Sequence, residues 1–247
     1  MENKTVNTDF SIRENKALSP LQNFRYELLQ WCGTTEDAVK AYQFVVGSNT
    51  IGCKKSKPQL EPRQIRDGIY LIDQSGFVIP YDPDNEPGRS SIEPYTIIGV
   101  GVKWGEHAIV VALKDEMDGA EITLTTKDTE EDSPAYYIKN VRDAVADWNH
   151  EANTEHLRKV LNPQIKLKDG WYIPAMGEML FIFLNLKAIN AALRYVGGQE
   201  IQEDWYWTST ETSSTYAWYL YLYDGNMYYR TKASTTFHVR AVSAFNF

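Results

Sequence analysis

The side chains best placed to do chemistry are hydroxyls and aromatic rings concentrated between Trp205 and Phe245, and the chemistry they suit is recognition. Tyr206, Tyr216, Tyr219, Tyr221, Tyr223, Tyr228 and Tyr229 fall there, interspersed with Ser214, Thr215, Asp224, Arg230, Thr231, Ser234, Thr235, Thr236, Phe237 and His238. Tyrosine gives large rigid contact area at low entropic cost, while Ser, Thr and Asn adapt their hydrogen bonds to a partner. Bond-making chemistry has less to work with. His107, His150, His156 and His238 are scattered, with no Cys, His or carboxylate partner at ligand spacing, and Glu155-His156 lacks the second histidine of a zinc-peptidase helix. No Gly-x-Ser-x-Gly elbow or phosphate-cradling glycine loop occurs. The stretch from Asp82 to Glu93 carries Pro87 where a calcium loop needs glycine, so it reads as a polar turn. The acidic run Asp128 to Asp132 reads as a solvated loop. The expectation is a binding protein with no catalytic residue, no metal and no cofactor. An enzyme is the competing reading, and it requires a pocket of titratable groups with perturbed pKa values.

Composition narrows the partner. The chain has 247 residues and a net charge of −8, with a pI near 5.1. It therefore has no basic field for phosphates, and nucleic acid is excluded as the expected partner. Its start lacks the basic-then-apolar pattern of a signal peptide, and no apolar run reaches the length of a membrane span. The expectation is cytoplasmic synthesis without a signal peptide and no membrane insertion. Only Cys32 and Cys53 occur, too few for a disulfide-stapled scaffold. Reduced thiols are the default, with a bridge between the two still compatible with their spacing.

The elements that must hold the tail follow from periodicity. Residues 1–60 form a separate small module: Leu21 to Leu29 is a short helix or strand, Thr35 to Val46 a capped helix, and Asn49 to Pro62 a linker. From Asp67 the pattern turns to hairpins, Gly68–Ile72 with Phe77–Pro80, then Ile97–Val102 with His107–Leu113. Lys114 to Pro134 reads as a solvated excursion. Val141 to Leu161 is one interrupted helix or two short ones, and Gly177 to Val196 is a helix with a broad apolar face, stopped at Gly197-Gly198. Tyr219 to Tyr223 alternates with period two, predicting tyrosines outward, Leu220 and Leu222 inward, and a turn at Asp224-Gly225. Two hairpins before a long helix predict an α+β fold.

Several segments in order, Ile173-Pro174-Ala175-Met176-Gly177-Glu178, Ile189 to Leu193 with Gly197-Gly198, Tyr206-Trp207-Thr208-Ser209-Thr210, Ala217-Trp218, Asp224-Gly225-Asn226 and Val239-Arg240-Ala241, make residues 66–247 resemble a known family. It is that of the C-type lectin-like variable proteins of diversity-generating retroelements, found in bacteria and their phages. The resemblance implies a C-type lectin-like fold, two helices with twisted antiparallel sheets, over residues 61–247. It also implies a ligand-binding region at about 205–247, diversified by adenine-directed mutagenesis. Its variable face would be Ser214, Thr215, Tyr216, Tyr219, Tyr221, Tyr223, Asp224, Tyr228, Tyr229, Arg230, Thr231, Ser234, Thr235, Thr236, Phe237 and His238, on a scaffold of Trp207, Trp218, Gly225 and Arg240.

Most residue types of the tail are those that adenine-directed mutagenesis can produce. Mutating both adenines of AAC or AAT never yields Lys, Met, Trp, Glu or Gln, and between Thr212 and His238 only Trp218, Met227 and Lys232 belong to that set. An ordinary Tyr-rich sheet favours similar residues. Lectin-like copper oxidases need paired cysteines late in the domain, and this tail has none. Glu93-Pro94-Tyr95 lacks the third oxygen ligand of a calcium-dependent sugar site. The expected function is that of a phage or prophage receptor-binding component, with a bacterial surface adhesin as the alternative. Its partner would be a surface protein or glycan of a bacterial cell. Residues 1–60 would attach it to a virion or surface assembly, or form a homo-oligomer. Within the scaffold, Trp207 and Trp218 are expected against the Met179–Val196 helix, and Arg240 beside Glu178.

Overall fold

Turn chemistry sets the first hairpin of the computed structural model, which describes residues 65–86, 88, 92, 95–130 and 137–245. Gly68–Asp73 (β1) pairs antiparallel with Val78–Tyr81 (β2). The Asp73 carboxylate closes the turn, accepting the Ser75 amide at 2.8 Å, the Ser75 hydroxyl at 2.6 Å and the Phe77 amide at 2.8 Å. Burial by itself raises the Asp73 pKa, but the bonds from the Ser75 hydroxyl and the Phe77 and Ser75 amides outweigh it and hold it below the ordinary 3.8. A depressed carboxylate contributes stability that is present above its ordinary pKa and lost as pH falls through the folded value. Asp73→Asn is thus expected to flatten the Tm-versus-pH curve below about pH 4. An unchanged acid slope would show that the charge does not hold the turn.

Sequence alternation explains the next pair, Ile97–Trp104 (β3) and His107–Asp115 (β4), which turn at Gly105 with φ +57°. Val100 and Val102 point one way into the main core. Gly99 and Gly101 point the other way, under bulky rings. A Cβ on Gly99 would lie 2.5 Å from Val110 Cγ1, and one on Gly101 3.0 Å from Phe245 Cε1. The expected excursion after Lys114 is corrected: β4 runs on to Asp115, a 3₁₀ turn spans Glu116–Gly119, and Ile122–Thr123 (β5) follows. Ile122 and Leu124, two apart, both bury their side chains, which the surrounding acidic residues masked in the sequence. Asp128 accepts the Thr215 hydroxyl at 2.7 Å and Thr129 is buried, so this part of the acidic run is tied down.

Two short helices, Val141–Val145 (α1) and His150–Leu157 (α2), and Trp171–Tyr172 (β6) precede the apolar helical stretch. That stretch is two helices, Met176–Leu184 (α3) and Leu186–Tyr195 (α4), bent 76° at Asn185. The Asn185 amide side chain donates to the Phe181 carbonyl at 2.9 Å, competing with the helical ladder where the single predicted helix breaks. Gly197 (φ +74°) and the Gly198 amide on the Leu193 carbonyl at 2.8 Å end α4. No single helix among the described residues is long and apolar enough to cross a membrane.

The tail builds Trp205–Glu211 (β7), Tyr216–Tyr221 (β8), Asn226–Thr231 (β9), Thr236–Phe237 (β10) and Arg240–Ala244 (β11). The sheets are β2-β1-β3-β4-β11-β6, β7-β8-β9 and β10-β5, every pair antiparallel. The fold is α+β. One core lies among the six-stranded sheet, α3, α4 and one face of β7-β8; a second gathers Ile122, Leu124, Leu157, Ile173, Trp207, Tyr219 and Phe237. The chain divides into Met1–Glu61 and Pro62–Phe247. The expected N-terminal elements, Cys32, Cys53, Pro87 and Glu93-Pro94 lie outside the described residues.

Candidate ligand-binding face

Strand order decides which tail residues are free to touch a ligand. β8 is the central strand of its sheet and packs on both faces: Trp218, Leu220 and the following Leu222 enter the main core, Ala217 and Tyr219 the second. The tyrosine alternation therefore fails at its first member. Tyr219 is only 4% exposed, boxed by Trp207, Phe237 and Tyr228; Tyr221 is half-buried and Tyr223 is 67% exposed. Leu220 and Leu222 are inward as expected. Phe237 and His238 are also buried, so their expected place on the surface is corrected along with that of Tyr219. For Tyr219 and Phe237 the physical reason is a second apolar layer beneath β8, supplied by distant Ile122, Leu124 and Leu157; the His238 ring is covered by Tyr206.

Exposure concentrates on β9, the edge strand. Tyr228 is 53% and Tyr229 48% exposed, with Arg230 exposed beside them and Tyr216 exposed across the ladder. Register puts Tyr228 opposite Tyr219 and Tyr229 opposite Trp218, so the two rings leave β9 on opposite faces. The exposed aromatic surface wraps an edge instead of lying on one plane. On one side Tyr229 meets Tyr216 edge-on at 5.8 Å and Trp218 at 5.5 Å. On the other, Trp205 contacts Tyr221 at 5.5 Å and Tyr223 lies 5.9 Å from Tyr221. Asp224, Ser234 and Thr236 are exposed around this rim, while Ser214, Thr215, Thr231 and Thr235 are partly covered. Trp205, 41% exposed, was missed from sequence; it sits two residues before Trp207 on the same face, and that spacing was its signal.

Beneath the rim the frame is pinned by buried polar groups. Arg240, fully buried, gives its Nε to Asp115, Nη1 to the Ala112 carbonyl at 2.9 Å and Nη2 to the Gln199 carbonyl at 3.0 Å. Asp115 also accepts the Tyr206 hydroxyl at 2.9 Å. Burial raises the Asp115 pKa despite the opposing pull of Arg240. Asp115 replaces the expected Glu178 as Arg240's partner, because β11 pairs with β4 and carries Arg240 directly opposite Asp115. Glu178 instead meets His150 Nδ1 and accepts the Ala175 amide at 2.7 Å, capping α3; burial raises its pKa against both contacts.

Lys232, also fully buried, pairs with Glu211 and donates to Thr129 Oγ1 at 3.0 Å. Burial lowers its pKa against the attraction of Glu211. His156 Nε2 lies 3.3 Å from the other Glu211 oxygen. His150 and His156 thus find carboxylates through folding that no sequence spacing announced.

Gly225 (φ +78°) holds the β8-β9 turn, and a Cβ there would lie 2.8 Å from Phe183. Trp218 joins the core with α3, but Trp207 faces the second core, away from the expected helix, and its Nε1 donates to the Ile122 carbonyl at 3.0 Å. A separate open cleft of about 300 Å³ lies by Ile72, Trp171 and Phe245, with Asp73 its one ionisable lining group.

No protein-family model and no curated protein matches the chain. Among solved structures, it is similar to a fimbrial protein from Bacteroides ovatus ATCC 8483, with a TM-score of 0.48 and 16% sequence identity over 72% of this chain and 48% of that one. The chain thus spans about half the length of that protein. At 16% identity no residue role passes from that protein to this one.

Proposed function

We propose that the described domain is a C-type lectin-like, non-enzymatic binding module of the kind diversified by retroelements. Its ligand surface is the aromatic rim around β9, and it serves as a phage or prophage receptor-binding component. The observation that carries this reading is the separation of exposed rings from a buried frame within one tail. Tyr216, Tyr223, Tyr228 and Tyr229 face solvent, while the three residues that adenine mutagenesis of AAC or AAT cannot make are turned inward. Trp218 and Lys232 are buried and Met227 packs on the main core. The buried Asp115, Glu178 and Lys232 are each engaged by partners that hold the fold, which favours binding over catalysis. The ligand would be a surface protein or glycan of a bacterial cell, and residues 1–60 would attach or oligomerise the module.

The test combines binding and stability. Replacing Tyr216, Tyr228, Tyr229 and Arg230 together by Ser is expected to abolish adhesion of labelled protein to a panel of bacterial strains. Each exposed substitution should cost no more than about 0.5 kcal/mol of folding. Retained adhesion by a folded quadruple variant would move the site off this rim. A neighbouring reverse transcriptase and a near-copy of the 3′ coding segment, differing at adenines, is expected in the encoding DNA. Recovery of the protein in purified virions is expected; recovery in cell envelopes alone would assign the same rim to an adhesin.

A further inference from the structure

Glu121, Asp204 and His238 are far apart in sequence, yet folding places them immediately before β5, immediately before β7 and immediately after β10. One ligand-type atom from each lies within 4.8 Å of the others. The histidine is held rigidly: its amide donates to the Trp205 carbonyl at 2.9 Å, and the Trp207 amide donates to its carbonyl at 2.9 Å. Its ring is buried against Tyr206, with centroids 5.1 Å apart. That buried ring makes no protein hydrogen bond through Nδ1, and its Nε2 lies 3.6 Å from Asp204 Oδ2.

This separation exceeds the 2.7–2.9 Å, roughly, of a charge-assisted hydrogen bond. It is close to the ~3.4 Å between neighbouring ligands when N and O atoms surround a tetrahedral zinc at about 2.0–2.1 Å. The unpartnered nitrogen is Nδ1, whereas Nε2 faces Asp204; what marks the site is the convergence of three donor groups at a spacing too long for a direct hydrogen bond between His238 and Asp204. Glu121 is exposed, and the Thr236 hydroxyl orients it by donating to Oε2 at 3.1 Å.

We propose that Glu121, Asp204 and His238 bind a divalent transition-metal cation of the Zn²⁺ type at the rim of the aromatic surface, beside Trp205. An imidazole with two carboxylates suits zinc better than calcium or magnesium, which prefer all-oxygen sites. Three protein donors leave a coordination position open to water or to an oxygen of a bound ligand. The competing arrangement is a metal-free His238–Asp204 ion pair.

The experiment uses the full chain with Cys32→Ser and Cys53→Ser, so that thiols do not contribute, stripped of metal and titrated calorimetrically with ZnCl₂ and, separately, CaCl₂. Zinc is expected to bind and raise Tm, reversibly with EDTA, while calcium does neither. Asp204→Asn and His238→Gln are expected to lose at least tenfold in zinc affinity, whereas the neighbouring exposed Glu203→Gln keeps it. Asp204 is half-exposed, so its variant keeps the proposal testable if His238→Gln folds poorly. Equal zinc affinity and an equal Tm rise in Asp204→Asn would overturn the site. Absence of zinc binding by the parent chain would leave only the ion pair.

Discussion

Arg240→Ala is expected to destabilise the domain by about 3–5 kcal/mol, because it strands Asp115 as a buried charge without its partner. Two backbone carbonyls, of Ala112 and Gln199, lose their donors in the same step. The penalty should depend on pH. Burial already holds the Asp115 pKa above its ordinary 3.8, with Arg240 as the main opposing pull. A raised carboxyl pKa favours the fold below its unfolded value, a contribution lost as pH rises through the folded value. Without Arg240 the pKa climbs further, so the deficit measured by urea unfolding at pH 7 should shrink at pH 5. Replacing both partners, Arg240→Met with Asp115→Leu, should recover much of the loss, since an apolar pair of similar volume needs no desolvation of charge. A single variant as stable as the parent at neutral pH would show that the pair does not anchor β11 to β4.

Trp207→Ala and Trp218→Ala are each expected to cost roughly 3–5 kcal/mol, the range for deleting a fully buried aromatic ring. Trp207 is fully enclosed in the second core and Trp218 nearly so in the first, with its Nε1 donating to the Ile138 carbonyl at 2.8 Å. Each therefore leaves a cavity and an unpaired carbonyl. Tyr228→Ala and Tyr229→Ala, one strand away on β9, should cost a small fraction of that. Chemical denaturation of all four variants beside adhesion measurements separates frame from face. Tyrosine variants that unfold as readily as the tryptophan variants would make β9 part of the core.

Local signals in the sequence located most of the elements. Both hairpins carry their turn residues, Asp73 to Gly76 and Gly105, and the stop at Gly197-Gly198 sits where the helical stretch ends. What local pattern cannot show is a second layer. Tyr219 and Phe237 look like surface residues until Ile122, Leu124 and Leu157 arrive beneath them from much earlier in the chain, and His238 does until Tyr206 packs against its ring. The same holds for charge partners. Arg240 finds Asp115, and Lys232 finds Glu211, through strand pairing and loop packing that spacing does not encode. The helix break at Asn185 was invisible for another reason: the apolar face continues through it, and only a side-chain bond to Phe181 marks the bend. At the site, the exposed tyrosines of β9 were readable because an edge strand buries little. Trp205 was not, since a tryptophan in such a frame reads first as core.

The position of β11 between β4 and β6 bears on how the protein is made. The six-stranded sheet cannot close until its latest-synthesised described strand has emerged from the ribosome, and the pairing it completes with β4 spans more than a hundred residues of chain. Closure of such distant contacts is slow. A polypeptide terminated anywhere within residues 205–239 would also lack Arg240, leaving Asp115 without its guanidinium partner and the edge of β4 bare. Truncated products should then never acquire a stable fold, and cellular proteases would clear them. The aromatic rim of β9 would in this way persist only in chains that carry the strand after it.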